Sequence, residues 1–305
     1  MRNEPYFDFH VHTSRSDAAP SQTPEAVVKA AAEAGISRIL ITDHDRELPA
    51  ALCRRLTEAY GVDVIGGVEL NASLTLSTGR RINAHIVAPW LPAELSPEMT
   101  AVLATNQGQD FEGYTKAMLR KLLLLGVDPS GAGVNESWEM IKAATPDTLH
   151  RGKNALAHLL TDTGWCESPR EAKEVYLSAF GHRLAYVSSH LYHHYAGLEE
   201  VMAAVNSVSF GILAHLFYYQ LNERENEELL ERFKALGGVG LEVDYGRYSP
   251  EKKEILARYA REYDLLPSAG SDRHEPDDDF KEGDPAWYEA LRTRFIELHG
   301  ERPGL

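Results

Sequence analysis

Short runs of apolar and β-branched residues alternate along this chain with longer stretches whose apolar positions recur at helical spacing. The runs predict strands at Tyr6 to His10, Arg38 to Thr42, Val62 to Val68, Asn83 to Ala88, Phe210 to Ala214, Gly240 to Val243 and Leu266 to Gly270. Between them, "TPEAVVKAAAEAG" predicts a helix with Thr23 as N-cap, Pro24 at its first position and Gly35 as its stop. "NEELLERFKALGG" and "SPEKKEILARYAREY" have the same form, the second opening at Ser249 and Pro250. Such alternation is the pattern of a parallel α/β sheet or barrel.

From Ser96 to Arg183 the rhythm changes to helical patterns around "KAMLRKLLLLG", "NALAHLLTDTG" and "SPREAKEVYLSAFG", with no strand between them. The expected organisation is therefore a sheet or barrel from residues 1–95 and 184–305, with a helical insertion at 96–183 over one end of it, covering the active site. "GGVG" at Gly237 to Gly240 leads into a strand, whereas glycines that capture a dinucleotide phosphate open a helix, so it carries no such reading. "PDDDFKEGDP" reads as an acidic loop, and no internal repeat or low-complexity tract is present.

A chain of 305 residues with 43% hydrophobic content can bury a full core. Cys53 and Cys166 stand far apart, which excludes a disulfide scaffold and a cysteine zinc cluster. Any bound metal must be held by histidine and carboxylate. A formal net charge of −15 opposes binding to long nucleic acids, yet permits a small anionic substrate in a cleft lined by cations and metals. Charged and polar residues from Arg2 onward do not form a signal peptide, and no apolar run is long enough to cross a bilayer. A cytoplasmic location without a membrane partner is expected.

The chemistry is concentrated at the ends of the predicted strands. In "FDFHVHTSRSD", His10 and His12 are one residue apart, so on a strand they point the same way. "ITDHD" offers His44, "GGVEL" Glu69, "NAHIV" His85, "ILAHL" His215, and "GSDRH" Asp272 and His274, while Asp17 closes the opening motif. The carboxyl ends of parallel strands meet at one face, where sites assemble. Six imidazoles and three carboxylates exceed one closed four-ligand site, so two or three divalent ions are expected. Mixed nitrogen and oxygen ligation suits Mn²⁺ first, with Fe²⁺ or Zn²⁺ as alternatives.

These motifs, in this order and spacing, resemble those of the PHP (polymerase and histidinol phosphatase) superfamily over nearly the whole chain. The resemblance implies a distorted (β/α)7 TIM-like barrel. It also implies that His10, His12, Glu69 and Asp272 hold one ion, that Glu69 bridges to a second completed by His85 and His215, and that Asp17, His44 and His274 hold a third. Asp17 stands where histidinol phosphatases of the family carry a histidine, which is similar to the branch of metal-dependent phosphoesterases acting on nucleotides and other small phosphoesters.

Two departures bear on substrate. Leu216 follows His215 where that branch usually has proline, and "HRGKNALAH" has Ala155 near the place of the histidine in the usual Arg-x-His pair. Arg151 and Lys153 remain candidates for gripping a phosphate, as do Arg183 and Arg273. "SSHLYHHY" adds His190, His193 and His194, with His190 a candidate general acid beside Asp272 and His274. Tyr218, Tyr219, Tyr245 and Tyr248 are candidates to wall a sugar or base. Asp45 is a candidate to orient a ligand histidine, and His150, His158, His182 and His299 read as structural or surface residues.

The expected function is phosphoester hydrolysis by metal-activated water attacking phosphorus in line. The expected substrate is a small phosphorylated sugar or nucleotide, as a phosphomonoester or a five-membered cyclic phosphodiester. The competing readings are an amidohydrolase-like C–N or lactone hydrolase, and a polymerase-associated nuclease or binding module.

Overall fold

A computed structural model describes residues 6–179 and 181–301. The first half of the chain alternates β1 (Phe7–Val11), α1 (Pro24–Ala34), β2 (Arg38–Ile41), α2 (Ala50–Tyr60) and β3 (Asp63–Gly66), then runs through β4 (Val68–Thr75) and β5 (Arg81–Ala88). Helices α3 (Pro97–Gln107), α4 (Phe111–Leu124), α5 (Val134–Ala144), α6 (Lys153–Asp162) and α7 (Pro169–Ala172) follow without a strand. The alternation resumes with α8 (Leu198–Val208), β6 (Ile212–Leu213), α9 (Glu223–Ala235), β7 (Gly240–Tyr245), α10 (Pro250–Glu262), β8 (Leu266–Gly270) and α11 (Pro285–His299).

Local chemistry explains the predicted helix ends. The Thr23 hydroxyl accepts from the Ala26 amide, and Gly35 takes the left-handed conformation that stops α1. The helix read from "NEELLERFKALGG" begins earlier than that stretch, at Glu223, because Asn222 and Glu225 close a capping box there at the start of α9.

The strands form a three-stranded parallel sheet, β1-β2-β3, and a five-stranded sheet, β4-β5-β6-β7-β8. The second sheet is not purely parallel: β5 runs antiparallel to both β4 and β6, while β6, β7 and β8 are parallel. The single strand expected from Val62 to Val68 is broken at Gly67, where the chain leaves the first sheet and begins β4 in the second. A side chain at Gly67 would meet Leu40 Cδ1 at 2.7 Å and the Ala88 carbonyl at 2.9 Å, so this crossing needs glycine. The sheets meet at two seams. His44 pairs with Glu69 beside the Gly67 crossing, and His12 and Asp272 exchange backbone hydrogen bonds with Arg273 and His10 between β1 and the end of β8.

Alpha3 packs on α8, and its Met99, Val102 and Leu103 share one core with the apolar residues of β4 and β5. Helices α4 to α7 have a separate core around Met118, Leu122, Trp138, Leu156 and Leu160, which extends to Ala185 and Val187. No helix among the described residues is long and apolar enough to cross a membrane.

Candidate metal centre

The strand ends bring the nine expected ligands to one place. His10 on β1 and His12 just beyond it are buried, with their Nε2 atoms 3.1 Å apart. Both nitrogens lie 3.1 Å from Glu69 Oε2, and His44 Nδ1 is 3.2 Å from the same oxygen. The other oxygen, Oε1, lies 2.9 Å from His85 Nδ1 and 3.0 Å from His215 Nε2. One buried carboxylate at the start of β4 is thus ringed by five imidazoles. Asp272 follows β8 and places Oδ1 at 3.2 Å from His12 Nε2 and 3.4 Å from His274 Nδ1. Asp17 Oδ1 lies 3.1 Å from His274 Nε2, and its Oδ2 accepts from Asn154 on α6 at 2.8 Å.

Ligand atoms within 4.8 Å of one another fall into three groups: His10, His12, Glu69 and Asp272; His12, Asp17, His44 and His274; and His44, Glu69 and His85. The first group is the one the family resemblance implies for its first ion. The other two share His44, and His215 reaches the third through Glu69 Oε1.

The donor set fits cations. Glu69 Oε2 and the Nδ1 atoms of His12, His44 and His215 are buried without a hydrogen-bond partner, although charged neighbours stand close by. Burial opposes ionising Glu69, and His10, His44 and His85 overcome it, holding its carboxyl well below the usual range. Burial likewise opposes charging His10, but Glu69 and Glu242 push it well above its ordinary value, while burial drives His44 well below. Glu69 Oε2 thus faces three imidazoles without a hydrogen-bond partner, an arrangement that divalent ions held by histidine and carboxylate would satisfy.

Behind the ligands, sequence reasoning did not single out Glu242, expected Tyr245 as a wall for a sugar or base, and expected Asp45 to orient a ligand histidine, whereas Asp45 is bonded by Asn71 and Asn106. Glu242 on β7 is 3% exposed and lies 2.9 Å from His10 Nδ1, while the Tyr245 hydroxyl donates to Asp272 Oδ2 at 2.8 Å. An acid between apolar residues of a predicted buried strand, "GLEVDY", was the available signal for Glu242. Asp43 accepts from the Thr13 amide and hydroxyl and from Ser16, which fixes the loop after β1. Asp45 accepts from Asn71 and Asn106 and so ties β4 to α3. His150 is buried against His44, with ring centroids 5.4 Å apart and planes 5° off parallel, so it belongs to the wall of the site.

The family model described as PHP domain matches residues 8–245. The chain belongs to the PHP domain family. A 3′,5′-nucleoside bisphosphate phosphatase of Chromobacterium violaceum is 29% identical over 278 residues, covering 88% of this chain and 87% of that protein. A 5′-3′ exoribonuclease of Haemophilus influenzae is 28% identical over 271 residues, covering 88% and 90%. The fold matches that of an amidohydrolase from Chromobacterium violaceum, solved with sulfate and without metal, at a TM-score of 0.77 and 24% identity over 95% of this chain and 96% of that one. This PHP domain protein is a hydrolase.

Above the metal centre of the PHP domain opens a cavity of about 1190 Å³. Its walls come from the helical segment and from the ends of the sheets. Lys153, Tyr218, Tyr219, His190 and His193 line it as candidate contacts, and so do Arg80, Arg170, Lys173 and Arg247, which sequence reasoning did not single out. Three expected phosphate contacts do not line it. The Arg151 guanidinium is occupied by the carbonyls of Thr145 and Pro146. Arg273 is buried beneath the site, bonded to Gln22 and the Pro276 carbonyl and stacked on Phe280. Arg183 is exposed on a left-handed turn. The Tyr245 hydroxyl is committed to Asp272, and Tyr248 packs on Tyr245 and Phe217 outside the cavity.

Proposed function

We propose that the protein is a metal-dependent phosphoesterase that hydrolyses a small phosphorylated sugar or nucleotide, with a nucleotide carrying a second phosphate as its leading substrate. The observation that carries this reading is the set of cations facing the cavity directly above the ligand cluster, in a chain of net charge −15. Lys153 is the clearest of them. Burial opposes its charge, but Tyr218, Tyr114, Tyr186 and Asp17 raise its pKa, and among the described residues no carboxylate lies within ion-pair distance of it. Its ammonium is free to receive an anion, and Arg170 offers a second charged group a place, beside Lys173 and Arg247, which are paired with Glu275 and Asp278.

Divalent ions in the cluster, Mn²⁺ by preference, would stabilise charge on the phosphoryl oxygens and make a bound water acidic enough to attack at neutral pH. Asp272 and His274 take part as ligands that orient the reacting phosphoryl group. Burial and the charge of Arg81 lower the His190 pKa, which suits a neutral imidazole that hydrogen-bonds the leaving oxygen. Helices α4 to α7, within the proposed insertion at 96–183, cover the cavity and limit access by water. The exchange of backbone bonds at both sheet seams supports reading the two sheets as arcs of a distorted barrel. A cytoplasmic metabolite is the proposed partner.

Turnover by Mn²⁺-loaded protein tests the reading, followed by phosphate release for the monoesters and by ³¹P NMR and chromatography of the products for the cyclic ester and the RNA. The substrates are adenosine 3′,5′-bisphosphate, AMP, ribose 5-phosphate, ribose 1,2-cyclic phosphate and a 5′-phosphorylated RNA oligonucleotide, with a chelator control. Chelator-sensitive release, fastest from the bisphosphate, is expected. Preferential opening of the cyclic ester would move the assignment to a cyclic phosphodiesterase, and shortening of the RNA to an exonuclease. Turnover of amides or lactones with no phosphoester cleaved would overturn it.

A further inference from the structure

Glu242 makes two hydrogen bonds, and they reach two different strands. Its Oε1 is 2.9 Å from His10 Nδ1 on β1, and its Oε2 accepts from the His215 backbone amide at 2.8 Å just beyond β6. A carboxylate oxygen accepts, so the bond to Glu242 holds a proton on His10 Nδ1 and leaves Nε2, which faces Glu69 Oε2 and His12 Nε2, as the nitrogen to meet an ion. The backbone at His215 lies in the left-handed region, with φ at +27°, which a non-glycine residue adopts only where its surroundings enforce it. Glu242 supplies that enforcement through the amide, and His215 Nε2 then lies 3.0 Å from Glu69 Oε1.

The space for this carboxylate is built into β8. A Cβ at Gly270 would lie 2.3 Å from Glu242 Oε1 and 2.3 Å from the His10 Cβ, so glycine there lets strands β1, β7 and β8 close around the pair. We propose that Glu242 is a positioning residue that fixes the His10 tautomer and the His215 backbone together, and so sets ion binding on both sides of Glu69 at once. This rests on the reading of the cluster as a metal centre.

Glu242→Gln is the direct test, because glutamine keeps the size but can accept only one of the two hydrogen bonds. Binding of Mn²⁺ to metal-free protein is measured by calorimetry and by the paramagnetic resonance of the bound ion, with the tautomers of ¹⁵N-labelled histidines followed by NMR in the metal-free state. The expected result is ~10–100-fold weaker binding at the positions on both sides of Glu69, the range lost with outer partners of metal ligands. The wild-type spectrum should contain a buried imidazole protonated at Nδ1 that shifts in the variant, at an unchanged melting temperature. Glu242→Ala, with both acceptors gone, should bind more weakly still. Wild-type affinities within twofold at both positions in Glu242→Gln, or weakening at one position alone, would overturn the proposal while leaving the metal centre standing. Wild-type protein that binds no Mn²⁺ would overturn both.

Discussion

At the scale of single residues, the site is organised around Glu69. Its two oxygens face five imidazoles from four places in the chain, so it is shared by ligands on both sides of the cluster. Glu69→Gln keeps the side chain's volume and removes the charge that draws cations in. Turnover is expected to fall by more than the ~10–100-fold that loss of an outer partner costs, with the far-ultraviolet dichroism of the folded protein retained. A variant with wild-type turnover and full metal content, read by elemental analysis, would show that Glu69 is not the shared ligand. That these nine candidate positions would come together was legible in the sequence because most lie near a strand end and each is a residue type that is costly to bury without a partner, whereas His85 lies within β5 and Asp17 in the loop six residues past β1. Of the four cations expected to grip a phosphate, Lys153 lines the cavity and the three arginines do not. Arg151, Arg183 and Arg273 were read from their place near motifs, but a long side chain can turn either way, and only tertiary packing shows Arg151 and Arg273 spending their donors on carbonyls.

At the scale of elements, strand β4 shows why part of the fold escaped the pattern. Val68, Leu70, Ala72, Leu74 and Leu76 alternate strictly and are all buried in one core, while Glu69 and Asn71 point to the opposite, site-facing side. An expectation of apolar parallel strands passes over such an alternating segment, which here forms the antiparallel pair with β5. The joint that sets its register is Gly67. Gly67→Ala places a methyl against Leu40 and the Ala88 carbonyl and is expected to destabilise the fold by roughly 1–3 kcal/mol. It should also weaken Mn²⁺ binding, because Glu69 lies two residues further along. Equilibrium denaturation in urea measures the first effect and metal titration the second. A denaturation midpoint equal to that of the wild type would mean the crossing between the sheets accommodates a side chain.

At the scale of the whole molecule, the ligands come from β1, the loop after β2, β4, β5 and the ends of β6 and β8, so ions bound among them join the two sheets. Without ions, the seam at the site depends on a few backbone bonds and on imidazoles whose lone pairs converge. An ion that binds the folded chain and not the unfolded one adds RT ln(1 + [L]/Kd) to stability, about 2.7 kcal/mol for one site at a hundred times its Kd. For a chain of this size that predicts a melting temperature raised by roughly 5–10 °C on saturation with Mn²⁺. The increase should be reversed by EDTA and should keep rising with the logarithm of Mn²⁺ concentration beyond saturation. The Glu69→Gln protein should show a smaller slope, since it loses ligands on both sides of the cluster, whereas a core substitution in α5, which contributes nothing to the cavity lining, should keep the wild-type slope at a lower baseline. Scanning fluorimetry across micromolar to millimolar Mn²⁺ makes the comparison. A melting temperature that responds to neither Mn²⁺ nor chelator would mean that the two sheets are held by their cores alone and that the cluster carries no ion under those conditions.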